Sequence, residues 1–256
     1  MSRRELKFCC LNVHSLRTDG KLEQLQSLLM KRKIDVTFLQ ETWHEFGKSG
    51  VIGKLERAGY TVVEQARPVK FDAQGRPIYR GGVLAMVLRN SDISVRKIPY
   101  VDFRTTHFEY TVAKIACKSR GWECYAIVLY RPGGSVVEPG FFADLADLLA
   151  RVCSSGRNII LAGDVNIHLN VDGPNSGDFL DVIEDVGLRQ HVNVPTRVCN
   201  MLDVVCTRFT KAPKIAASDV DLSDHRLLTW SLFLPAATVN STAPVRGRKR
   251  PLSDGH

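Results

Sequence analysis

Short apolar runs alternate with amphipathic stretches from Lys7 to Phe233, and several of the runs end in a polar group. Lys7 to Val13 is a mostly apolar run and predicts a buried strand. Leu22, Leu25, Leu28 and Leu29 then recur at helical spacing with lysines and arginines opposite, which predicts an amphipathic helix. Asp35 to Leu39 is the next strand-like run and ends on Gln40-Glu41. Gln74 to Tyr79 reads as a loop, and Gly81-Gly82 leads into a buried strand over Val83 to Leu88. Phe108 to Ala116 and Glu123 to Tyr130 flank Ser119-Arg120-Gly121, the pattern of a hairpin. Phe141, Leu145, Leu148, Leu149 and Val152 mark a second helix, with Pro139 near its start. Ile159 to Ala162 is a short core strand that delivers Gly163-Asp164-Val165-Asn166. A third helix is expected to bury Phe179, Val182, Ile183 and Val186, with Ser176 as its N-cap and Gly187 at its end. Leu202 to Thr207 and Leu227 to Phe233 are the last strands. Many strands separated by helices predict an α/β chain of two sheets packed face to face with helices outside.

Composition narrows this only a little. A chain of 256 residues with 44% hydrophobic content can bury a substantial core. The net charge is +8, which suits a polyanionic partner. After Pro235 the pattern stops, and Ala, Thr, Ser and Pro accompany Arg246, Arg248, Lys249 and Arg250. The expected division is therefore a folded domain over 1–234 and a basic, flexible linker over 235–256. Gly247-Arg248-Lys249-Arg250 reads equally as a solvated charge run, a nuclear address or a nucleic-acid patch. Seven cysteines, none at CxxC spacing and most within apolar runs, suggest reduced thiols and no zinc site. No stretch has the length of a membrane span, so a membrane role is not expected.

Candidate chemistry lies at the ends of the strands. Glu41 follows Val36-Thr37-Phe38-Leu39 with only Gln40 between, which can fix a carboxylate for Mg2+ and its oxygen ligands. Read alone, it is a surface glutamate that begins a loop. Asp164 and Asn166 alternate with Val165 and are expected on one face of an extended segment. An aspartate there can orient an attacking water, and an asparagine can hydrogen-bond a phosphate oxygen. The competing reading is a simple turn. Asp203 sits inside an apolar run, where a carboxylate is costly unless paired. His225, in Ser223-Asp224-His225, is its natural partner in an Asp–His dyad. A serine-hydrolase triad is disfavoured, because no serine occupies a GxSxG-like elbow.

Six motifs occur in a shared order: Leu-Asn-Val-His at Asn12, Leu-Gln-Glu-Thr at Glu41, Leu-Tyr-Arg-Pro at Tyr130, Gly-Asp-Val-Asn, Leu-Asp-Val-Val and Ser-Asp-His. In this the chain resembles the endonuclease/exonuclease/phosphatase superfamily over about residues 6 to 234. Val194-Pro195-Thr196-Arg197, followed by Asn200-Met201-Leu202-Asp203, is most similar to the apurinic-type endonuclease domain of non-LTR retrotransposons (LINE elements). The resemblance implies a four-layer sandwich of two packed mixed β-sheets flanked by helices, as in pancreatic deoxyribonuclease. It implies Mg2+ dependence, with Mn2+ as the alternative ion, and nicking of one strand of double-stranded DNA. It further implies a reverse transcriptase fused C-terminally; with the reduced cysteines, the expectation is an intracellular chain acting in the nucleus. By the same resemblance Glu41 is the principal metal ligand with Asn12 beside it, and Asp224 supports the site near the metal. Tyr130 helps hold the phosphate, Asp164 activates or orients the water, and Asn166 stabilises charge. Asp203 orients His225, which contacts the scissile phosphate, while Thr196, Ser223 and Arg197 are second-tier. His14 stands where many apurinic repair enzymes carry aspartate, a departure that favours the retroelement group. The Val194 to Leu202 segment is expected to form a short β-hairpin loop at the DNA face, too short for much base readout. An apurinic-site repair endonuclease, a superfamily phosphatase and an inactive DNA-binding module are the other readings.

Overall fold

A computed structural model describes residues 4–45, 50–68, 70–89, 92–101, 103–134, 136–156, 158–209 and 211–234. The tail over 235–256, with its basic cluster, lies outside the described residues. The first sheet contains β1 (Arg4–Asn12), β2 (Val36–Gln40), β3 (Tyr60–Gln65), β6 (Val83–Leu88), β13 (Ala216–Ser218) and β14 (Leu227–Leu234). Its order is β13-β14-β1-β2-β6-β3. The second contains β7 (Ile93–Lys97), β8 (Glu109–Cys117), β9 (Trp122–Tyr130), β10 (Ile159–Asp164), β11 (Arg189–Gln190) and β12 (Asp203–Arg208). Its order is β11-β12-β10-β9-β8-β7. A separate two-stranded hairpin pairs β4 (Lys70–Phe71) with β5 (Pro77–Ile78).

Why the strands read as continuous apolar runs is plain from the layers. Phe8, Cys10 and Phe38 point into the core between the sheets, together with Ala126, Val128 and Ala162. Cys9, Leu11 and Leu39 point the other way, onto α1 (Lys21–Arg32) and α2 (Gly50–Arg57). Ile127, Leu129 and Leu161 face α3 (Pro139–Cys153) and α4 (Pro174–Asp185). Both faces of each central strand are therefore buried, which removes the in–out alternation of a half-exposed sheet. Phe8 stacks on Trp230 with ring centroids 5.4 Å apart, so this tryptophan belongs to the core. The fold is thus the expected α/β four-layer sandwich.

Several local expectations change. The predicted loop over 74–79 contains β5. Helix α4 begins earlier than Ser176: Gly173 is its N-cap, Pro174 its first residue, and Ser176 stands one turn in. There the Ser176 hydroxyl accepts the Gly173 N–H at 3.1 Å, so the serine closes the helix start from inside. The strand after Ile159 stops at Asp164, and Asn166 adopts a left-handed φ of 49°. Asp164 and Asn166 are brought together by a turn, the competing reading, and not by strand alternation.

Candidate active site

Sheet topology brings the separated motifs to one rim. β1 and β2 run parallel and end on the same side, where the antiparallel β14 begins. In the second sheet β9 and β10 run parallel and end together where β12 begins. Asn12, Glu41 and His225 thus come from one sheet, and Tyr130, Asp164 and Asp203 from the other.

Their side chains touch. Asn12 donates from Nδ2 to Glu41 Oε1 at 2.9 Å and to Asp164 Oδ2 at 2.8 Å, bridging the sheets. Its Oδ1 accepts the His14 backbone N–H at 3.1 Å, so the amide is fixed in one orientation. Asp203 Oδ2 lies 2.8 Å from His225 Nδ1, the expected dyad. His225 Nε2 lies 3.8 Å from Asp164 Oδ2. Asp164, Asp203 and His225 are each no more than 3% exposed. Tyr130 is hydrogen-bonded to Glu41. Thr196, fully buried, accepts the Leu202 and Asp203 N–H groups on its hydroxyl at 3.1 Å each and so fixes the start of β12. Ser223 donates to the Asn12 carbonyl at 2.6 Å and accepts the His225 N–H at 3.1 Å. Asp224 pairs with Arg197, which approaches it at 2.6 and 2.8 Å, and its charge also acts on His225. His14 is exposed at the rim with its ring edge-on to Trp43. The 194–202 segment is a tight hairpin turn, with the Arg197 and Asn200 backbones bridged in both directions.

Backbone strain concentrates here. His14, Ser15, Glu41, Trp43, Asn166 and Val198 all have positive φ, and the remaining non-glycine case among the described residues, Lys33, caps α1. Each such residue costs roughly 1–3 kcal/mol, which the surrounding contacts must over-determine. Gly163 has a different constraint: a Cβ there would lie 1.8 Å from the Leu129 carbonyl oxygen. Gly163→Ala is expected to cost about 3 kcal/mol or more, read as a lower urea midpoint at unchanged slope. A variant as stable as the parent would contradict this packing.

Electrostatics follow from the burial. Asp164 is pushed up to about 7 by burial first and by the Asp203 charge second, against the opposing pull of His225. Burial alone would lower His225, but the Asp203 hydrogen bond and charge outweigh it and raise its pKa. Burial, then the Glu41 charge, raises Tyr130 and keeps its hydroxyl protonated.

Other residues complete the rim without local sequence signals. Arg131, buried behind Tyr130, donates to the Val165 and Asn166 carbonyls at 2.7 Å each and clamps the turn after Asp164. Arg67 pairs with Glu109, and its guanidinium lies 5.7 Å from the Tyr130 ring centroid. Glu109 also accepts the Gly82 N–H at 2.5 Å, and burial raises its pKa. Buried His44 sits 2.5 Å from the Thr42 hydroxyl and 3.0 Å from Glu64, bracing the segment after Glu41. Only the Leu-Tyr-Arg-Pro motif could have drawn attention to Arg131; the Arg67–Glu109 pair spans 42 residues and leaves no local trace.

The donor set fits a hard divalent cation. Glu41 is partly exposed and accepts hydrogen bonds from Asn12, Trp43 and Tyr130, all neutral. Among the described residues no cationic side chain pairs with it. An ion there could keep the waters that Mg2+ retains. The ligating atoms of Asp164, Asp203 and His225 also lie within 4.8 Å of one another, but they are buried, and Asp203 and His225 are engaged in the dyad.

Fold and rim together are those of a phosphate-ester hydrolase. Residues 9–225 match the Endonuclease/Exonuclease/phosphatase family, and the chain belongs to it. No curated protein sequence matches the chain. Among solved structures, it is similar to the endonuclease domain of TRAS1, a telomere-specific non-LTR retrotransposon, at 17% identity and a TM-score of 0.63, covering 90% of this chain and 99% of that one. An AP endonuclease from Leishmania major is similar at 15% identity and 0.66, covering 91% and 89%. A 3′ phosphatase from Neisseria, solved with product DNA, is similar at 17% identity and 0.61, covering 88% and 98%. At these identities the likeness establishes the fold. No helix among the described residues is long and apolar enough to cross a membrane.

Proposed function

We propose that the chain is a Mg2+-dependent endonuclease that nicks one strand of duplex DNA and leaves a 3′-hydroxyl. The observation that carries this reading is the direct linkage from Glu41 through Asn12 to Asp164, which faces the His225–Asp203 dyad. This linkage supports reading Glu41 as a cation-binding carboxylate, Asp164 as a proton acceptor and His225 as a proton donor. The net charge of +8 supports a polyanionic substrate. The fold shared with a retrotransposon endonuclease domain supports a nick that primes reverse transcription by a fused polymerase.

Glu41 would hold the ion, which when bound neutralises charge on the phosphate. Asn12 contributes by holding Glu41 and Asp164 together, since both of its amide hydrogens are engaged. Asp164 accepts a proton from the attacking water as the new O–P bond forms, and the bond from phosphorus to the 3′ oxygen breaks, that oxygen taking a proton from solvent. His225, whose charged form the Asp203 hydrogen bond and charge favour, donates from Nε2 to a phosphate oxygen. The Tyr130 hydroxyl, held protonated, is a second donor. Asn166 gives its amide hydrogens to the Arg131 carbonyl and Asp164, so it acts first as the brace of Asp164. Asp224, tied to Arg197, supports the loop before His225.

Three substrates separate the readings: supercoiled plasmid, an abasic duplex and inositol phosphates. Open circles whose ends a polymerase extends are expected. Cleavage confined to the abasic duplex, or phosphate release without nicking, would overturn the proposal. The dyad makes a second prediction. Asp203→Ala and His225→Ala should each slow nicking about 10²–10⁴-fold, and the double variant should be no slower than the worse single one. Additive losses would mean that the two residues act separately.

A further inference from the structure

The end of the sandwich opposite the rim carries a groove of about 1220 Å³. It gathers the early residues of β1, the first residue of β9 and the last residues of β14, whereas the rim uses the other ends of these strands. On the outer face of the first sheet α1 covers Cys9 and Leu11, while Glu5, two alternations earlier on the same face, is exposed. Phe233 stands opposite Glu5 in the register and is 62% exposed. A second groove shares Asn158, Phe209 and Ala212 with the first and carries Arg189 and His191. The two together form one path across this end of the molecule.

Its lining is cationic and aromatic at once. Lys7, Lys31, Arg32, Lys211 and Lys214 border the first groove, and among the described residues none of them pairs with an acid. The acid beside them, Glu5, accepts the Ser231 hydroxyl at 2.6 Å. Cations gathered without counter-charges repel one another until an anion lies between them. Rings are interleaved with these charges. Trp122 and Phe209 are half-buried, each resting on the core between the sheets, which holds the rings still. Phe233 adds an exposed ring on the sheet face. Trp230, 3% exposed, also borders the groove, and its buried indole N–H has no acceptor. A buried donor left unpaired is costly, so the groove wall favours a ligand that brings acceptor atoms.

We infer that this groove is a second nucleic-acid site and that it holds single-stranded RNA. Unpaired bases stack on aromatic side chains while the phosphates follow a cationic track, and a duplex hides the base faces that such rings need. Charge rules out two other occupants. The tail over 235–256 is itself basic, and a second copy of the chain carries the same +8. An acidic peptide would satisfy the cations but offers no flat faces to the spaced rings. Ribose is favoured over deoxyribose because Glu5, Thr229 and Ser231 line the path among the cations. A carboxylate there repels phosphate but accepts a 2′-hydroxyl, which the serine and threonine hydroxyls can bond as well. The site stands apart from the rim, so the inference goes beyond strand nicking and does not depend on it.

The test is fluorescence anisotropy of labelled oligocytidine, built on ribose or on deoxyribose, with the full chain in EDTA and an excess of unlabelled duplex to occupy the rim. The cations of the tail contribute equally to parent and variants. Phe233→Ala is expected to weaken binding of the ribose strand about tenfold, with melting temperature and plasmid nicking unchanged. Lys31→Ala combined with Lys214→Ala is expected to lower the slope of log Kd against log salt by about 1.4, two phosphate contacts on a single strand. The deoxyribose strand should bind the parent several-fold more weakly. Unchanged RNA affinity in Phe233→Ala would overturn the stacking groove, whatever the lysine variant does. Equal affinity for the two strands would overturn the choice of RNA. Displacement of the RNA by oligoglutamate at equal concentration would hand the groove to an acidic protein partner and overturn the inference. A parent that binds RNA in this groove and nicks no plasmid would support the inference and sink the functional reading alone.

Discussion

Asp164→Asn is expected to slow plasmid nicking by about three orders of magnitude, and to abolish the acid limb of the pH–rate profile. The sign follows from the role. A proton acceptor must be ionised, and burial together with the Asp203 charge has raised the pKa of this carboxyl to about 7. Below that value the protonated, inactive form dominates, so the parent loses roughly tenfold in rate per pH unit as the medium is acidified. A cation held at Glu41 adds positive charge on the other side of Asn12 and can only move the limb downward. The limb of the parent should therefore lie at or below about 7 at fixed metal concentration, and Asp164→Asn should show a low rate without it. A parental rate still climbing through pH 8 or 9 would remove Asp164 from the acceptor role. So would an Asp164→Asn variant that nicks at the parental rate.

Glu41→Ala should abolish nicking and, separately, the stabilisation conferred by Mg2+. The second readout matters because it does not depend on catalysis. An ion that binds only the folded chain at one hundred times its Kd adds about 2.7 kcal/mol, which should appear as a higher Tm for the parent in Mg2+. The alanine variant should melt at one temperature with and without the ion. Glu41→Gln keeps the shape and one oxygen donor, and should need about 10–100-fold more Mg2+ for half-maximal nicking. Retention of the full Mg2+-dependent shift in Glu41→Ala would place the ion elsewhere, with the Asp164, Asp203 and His225 cluster the next candidate.

Much of this site was legible in the sequence because strand ends are local. Glu41, Asp164 and Asp203 each adjoin a run whose apolar character is unmistakable, and a buried carboxylate demands a partner. The Asp203–His225 dyad was readable on that ground alone. What escaped was of two kinds. α2 is short, and β3 and β7 are edge strands that bury only Tyr60 and Val63, and Ile93 and Val95, so their patterns are weak. Arg67, Glu109, His44 and Arg131 hold the rim through contacts between distant segments or to backbone carbonyls, and no spacing rule reports those. The start of α4 was misplaced because Ser176 has the chemistry of a cap, while the Gly173-Pro174 step fixes the helix start. Asn166 was expected on a strand, whereas the Arg131 clamp holds it in a left-handed turn.

The pairing of β14 with β1 joins Arg4 to Leu234, the two ends of the described chain. A growing polypeptide therefore lacks the complete rim until His225 and β14, the neighbour of β1, have emerged. Under the proposed function, copies terminated before His225 would be unable to nick DNA, a safeguard that comes from connectivity alone.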